Sequence, residues 1–100
     1  MNLSDCLMTR EEIENKIPNT WSVEDEEYDG RIKFTWDGTG NHIMINDWGE
    51  DGYLFSPMVE TNGTGFTSQG DMTNQTTFST LESAIKQAIH LINNWEKQYE

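Results

Sequence analysis

The strongest pattern in the chain lies toward its C-terminal end, where Leu81, Ile85, Ala88, Ile92, Trp95 and Tyr99 recur at steps of four and three. That period brings all six onto one stripe of an α-helix. Ser79 followed by Glu82 has the spacing of a capping box, so the helix is expected to begin there and to lie across a sheet. Near the other end, Thr9 and Glu12 in TREEIENKIP repeat the capping signature, and Pro18 stops a first helix near Ile17. With only Ile13 and Ile17 as clear apolar positions, that helix is short and depends on docking against something larger.

Between the helices the period changes to two. TWSV supplies Trp21 and Val23, and RIKFTW alternates Arg31, Lys33 and Thr35 with Ile32, Phe34 and Trp36, the pattern of a half-buried strand. DGTGN is a glycine-containing turn into HIMINDW, where Ile43 and Ile45 oppose His42, Met44, Asn46 and Trp48. GEDG marks the next reversal and YLFSPMVE the next strand, in which Pro57 lacks a ladder donor and points to an edge position or a strand end. Residues 61–77 read as a long loop, or as a loop holding one weak strand around Phe66. The expected fold is α+β and a single domain over residues 1–100. It has a short N-terminal helix, an antiparallel sheet of three or four strands with a fifth weak strand as the upper count, and a long C-terminal helix packed on the sheet.

This order, helix, three or four strands, helix, resembles that of the double-stranded RNA-binding domain. In that family the start of the second helix presents lysines to phosphates. Here the corresponding stretch is STLESAIKQ, with Glu82 and only Lys86. The resemblance therefore implies a fold and carries over no RNA-contacting residue.

Composition sharpens the functional picture. Apolar residues make up only 34% of the 100 residues, yet four Trp, four Phe and three Tyr concentrate that area in large side chains, which favours a folded domain over an acidic disordered tail. Eighteen acids against six bases give a net charge of −12. The imbalance is uneven: residues 1–60 carry 14 acids and 4 bases, residues 61–100 only 4 and 2. Such a field repels phosphate backbones and anionic lipids, so no direct nucleic-acid or membrane binding is expected. The single Cys6 cannot form an internal disulfide and reads as a small, partly buried residue. No apolar run has the length of a membrane span and the N-terminus lacks the pattern of a signal peptide, so the expected location is the cytoplasm of a cell or of an infected host.

Two acidic segments stand out. VEDEEYDG places Glu24, Asp25, Glu26, Glu27 and Asp29 around Tyr28, in the expected link between the first two strands. Its spacing lacks the alternating donors and central glycine of a Ca²⁺ loop. NDWGEDG sets Trp48 among Asp47, Glu50 and Asp51. Trp48 either covers the open side of the sheet or is a rigid anchor in an acid-rimmed contact site suited to Arg or Lys. If Trp36 and Trp48 occupy opposite faces, the one spared by the core is the better contact residue. The glycines of GTGN and GTGFTSQG lack the Lys-Ser or Lys-Thr of a phosphate loop and read as turns. His42 and His90 stand in no zinc-binding spacing and read as ordinary imidazoles. No cofactor, metal or catalytic residue is expected.

The leading expectation is a non-enzymatic acidic interaction protein that binds a positively charged protein surface. In its most concrete form it inhibits a DNA- or RNA-binding protein, carboxylates standing where phosphates would stand, a behaviour resembling that of phage-encoded nucleic-acid mimics. Its contact residues would be Glu24, Asp25, Glu26, Glu27, Tyr28, Asp29, Asp47, Trp48, Glu50 and Asp51. One alternative is a structural or assembly protein forming a homodimer through its sheet or last helix. Another is a small hydrolase or metal-dependent enzyme, with a pocket joining His42 or His90 to two carboxylates. Adaptation to a salty environment would also account for the acidity, without reference to any single partner.

Overall fold

A computed structural model describes residues 6–26, 30–60, 66–68 and 76–95, with the backbone alone at Glu26, Val59, Glu60 and 66–68. Helix α1 (Arg10–Asn15) starts where the capping signature places it. The Thr9 hydroxyl accepts from the Glu12 amide at 3.1 Å, and the Glu12 carboxylate accepts from the Thr9 amide at 3.5 Å. The helix ends two residues short of Ile17, with Lys16 as its C-cap, and Ile13 and Ile17 both reach the core.

Strands β1 (Trp21–Glu26), β2 (Arg31–Trp36), β3 (His42–Asp47) and β4 (Tyr53–Glu60) form an antiparallel meander. Cross-strand partners such as Val23 with Phe34, Phe34 with Ile43, and Ile45 with Phe55 put one set of alternating residues on the inner face. Val23, Ile32, Phe34, Ile43, Ile45 and Phe55 are all buried there. Ser22, Glu24, Lys33, Thr35, Met44 and Asn46 occupy the opposite face.

Residues 61–77 hold more structure than one weak strand. Besides β5 (Phe66–Ser68), β6 (Thr76–Phe78) begins at the end of that stretch, and both pair with β4. They share one lane: β6 meets Tyr53–Phe55 and β5 meets Met58–Glu60. The sheet is thus five lanes wide, in the order β1-β2-β3-β4-β5, and the helix-and-sheet architecture read from the sequence stands. The six strands among the described residues exceed the three or four that carried the resemblance to the RNA-binding domain.

Pro57 requires a correction. It sits at neither an edge nor a strand end but inside β4, opposite Ile43 and with its ring buried. On the other side of β4 it falls at the junction between the β6 and β5 pairings, a place where a missing N–H interrupts no continuous ladder.

Helix α2 (Leu81–Asn93) closes the inner face with Leu81, Ile85, Ala88 and Ile92, joined by Ala84 and Leu91. Its cap also differs from expectation. Thr80, not Ser79, is the N-cap, its hydroxyl accepting from the Ser83 amide at 3.1 Å. Glu82 is thereby released from capping and bonds to the segment before α1. Beyond the helix Trp95 is buried, its ring edge-on to Trp21 with centroids 5.1 Å apart, and Trp36 stacks on Trp21 at 5.9 Å. Tyr99 lies outside the described residues.

Candidate functional site

Strands β1 and β3 run in the same direction, so the chain leaves both at the same end of the sheet. The first reversal joins Glu26 to Arg31, and the second joins Asp47 to Tyr53. These are the two acidic segments, about twenty residues apart in sequence. They are joined directly: the Asp47 amide donates to the Gly30 carbonyl at 3.3 Å.

The second reversal is tightly built. The Trp48 amide donates to the Gly52 carbonyl at 2.8 Å, and the Gly49 amide to the Asp47 carboxylate at 2.9 Å. Between them Gly49–Asp51 forms one 3-10 turn. Gly52 has φ +96°, and a Cβ added there would lie 2.3 Å from the Phe78 carbonyl oxygen. Only glycine fits that backbone and that approach, so the loop is anchored against the connection between β6 and α2.

The fold holds Asp47, Glu50 and Asp51 exposed around Trp48, itself 53% exposed. Trp36 is half-buried against the core, which leaves Trp48 as the spare aromatic.

The first acidic segment is less uniform. Glu24 is exposed on the outer face opposite Lys33, and the backbone of Glu26 is opposite Arg31. Two basic residues of β2 therefore face the strand portion of this segment, whereas the Asp47–Asp51 loop contains none. Asp25 is half-buried on the core side, opposite Ile32. Glu27, Tyr28 and Asp29 lie outside the described residues.

A further carboxylate, Glu82, belongs to the first turn of α2. Its Oε2 accepts from the Cys6 thiol at 2.9 Å and from the Leu7 amide at 3.0 Å. Burial, followed by the hydrogen bond to Glu82, pushes the Cys6 thiol up to about 11, and the bond from Cys6 holds Glu82 below its usual range. A thiol held protonated in this way is a poor nucleophile and a poor metal ligand.

The histidines do not join the acidic loops. His42 opens β3 at the opposite end of the sheet, buried, with Nδ1 2.9 Å from the Gly40 carbonyl oxygen. His90 is exposed late in α2. Among the described residues no group of three or more His, Cys, Asp or Glu side chains could hold a metal ion. No helix among them is long and apolar enough to cross a membrane.

Two concave features escaped the sequence. One is a cavity of about 330 Å³ at the end remote from the acidic loops, lined by Trp21, Trp36, Trp95, Pro18, Ile92 and polar neighbours. The other is a groove of about 480 Å³ beside β1, between that strand and α1. The aromatic residues of the first were legible as core. That they meet around a cavity depends on strand register and on the helix C-terminus, which no local pattern encodes.

The chain matches no family model, no curated protein and no solved structure.

Proposed function

We propose that the protein is a non-enzymatic binding module for a positively charged protein surface, with the Asp47–Asp51 loop as its anchor. The observation that supports this reading most is the exposed Trp48, set among three exposed carboxylates on a loop that four hydrogen bonds and a close glycine contact hold in shape. An aromatic ring beside carboxylates offers an Arg or Lys side chain both a π-face and an ionic partner. A loop already held in its bound shape loses little entropy on binding. Glu24 and Asp25, in the second half of β1, lie toward the same end of the molecule and would speed encounter with a cationic surface. A nucleic-acid-binding protein is the partner class whose surface such an array fits, its carboxylates replacing phosphates.

Affinity capture from the native host at low and high salt, followed by binding kinetics with the purified partner, tests this reading. Trp48→Ala is expected to speed dissociation, and Glu50→Lys with Asp51→Lys to slow association about tenfold at low salt, with no change in melting temperature. Wild-type kinetics in both variants, or binding indifferent to salt, would overturn it.

A further inference from the structure

The two edges of the sheet are not alike. On one, β5 and β6 have three residues each, and edge strands that short leave little ladder for another chain to extend. On the other, β1 has six residues and no proline, and no strand lies beyond it among the described residues. The Val23 carbonyl turns away from β2 and accepts a hydrogen bond from the Arg10 guanidinium. In an antiparallel strand the N–H of a residue points the same way as its carbonyl, so the Val23 amide also faces away from β2, beneath the cover that leaves Val23 only 2% exposed. Arg10 is held in place by Glu14 at 3.1 Å, and the groove beside β1 runs past both to Ser22, Glu24 and Asp37.

We infer that this edge receives an extended, basic segment of the partner, which adds to β1 as a further strand and bonds to the backbone of Val23. This deepens the function proposed above and rests on its reading of a cationic partner. The groove selects its occupant by charge. Arg10 and Glu14 neutralise each other, which leaves Asp37 and Glu24, the latter with Lys33 opposite it on β2, so the lining of the groove itself stays net negative. A second copy of the chain fits poorly, because each β1 carries Glu24, Asp25 and Glu26 on a molecule of net charge −12, and two such strands repel one another on approach. The incoming strand displaces Arg10 from Val23, and the released guanidinium stays beside Glu14. Backbone bonds supply affinity and alternate side chains supply specificity, as in other cases of strand addition.

Three short peptides and the intact protein test the inference: one alternating Lys and Val, the same peptide N-methylated at the residues whose amides would face β1, and one alternating Glu and Val. Affinity and amide hydrogen exchange are read together. The Lys-Val peptide is expected to bind and to slow exchange at Val23, the N-methylated one to bind about tenfold more weakly because it has lost backbone donors, and the Glu-Val peptide not to bind. Equal affinity for the N-methylated peptide, with changes confined to Asp47–Asp51, would overturn edge docking and leave the function proposed above standing. Equal affinity for the Glu-Val peptide would overturn both. Absence of Lys-Val binding at low salt, or protection of Val23 by self-association without peptide, would overturn edge docking alone.

Discussion

Gly52 is the residue whose replacement has the clearest cost. Its positive φ and the 2.3 Å approach to the Phe78 carbonyl oxygen act together, so Gly52→Ala is expected to destabilise the fold by about 2–4 kcal/mol in chemical denaturation. Cys6 gives a second expectation at this scale. Its folded pKa of about 11 lies above the ordinary value of 9.0, so the folded chain keeps a proton that the unfolded chain releases. This contribution to stability is complete below pH 9 and is lost as pH rises toward 11. Alkylation of native Cys6 should be slow at pH 8 and accelerate toward pH 11. Glu82→Gln should shift that profile to lower pH, because it removes the negative charge beside the thiol.

Among the elements, α2 carries the sharpest tests. Thr80→Ala is expected to cost about 1 kcal/mol through loss of the N-cap, while Ser79→Ala should be close to neutral. The reverse ranking would restore the box expected from the sequence. Trp95→Ala should cost about 3–5 kcal/mol, since the ring is 4% exposed and packs on Trp21. The elements themselves were legible wherever a period ran for a full turn or more. The alternation in RIKFTW and the Leu81-to-Trp95 stripe reported the core face correctly because burial on one side is what generates such a pattern. Strand β6 was not legible: three residues, Thr76, Thr77 and Phe78, are too few to show a period, and its pairing with Tyr53–Phe55 is a long-range contact. Pro57 misled for a related reason. A missing donor excludes a continuous ladder on that side, and two short strands meeting at its position satisfy the same constraint as an edge. The cap shifted by one residue because Ser79 and Thr80 offer the same chemistry, and the contact of Glu82 with Cys6 and Leu7 spans more than seventy residues.

For the whole molecule, what the sequence conveyed of the candidate site was its chemistry and not its assembly. Both acidic segments and Trp48 could be named from composition alone. Their neighbourhood follows from the meander, and the Asp47–Gly30 bond that joins them was not foreseeable. The groove along β1 was equally hidden, since which strand is left uncovered depends on sheet order. Because the exposed acids repel one another, added salt is expected to raise the melting temperature of the free protein while weakening its hold on a cationic partner. Thermal scans and binding measured over the same salt range should move in opposite directions.

The parity of the meander also constrains how the chain can vary. Two strands lie between the departures at Glu26 and Asp47, and each strand crosses the sheet once. Lengthening the hairpin tip at Asp37–Asn41, or inserting a complete additional hairpin there, would return the two reversals to a common pole. Deleting a single strand would send them to opposite poles with every carboxylate still present, so a homologue's count of crossings, ahead of its count of acids, tells whether it can present the same surface.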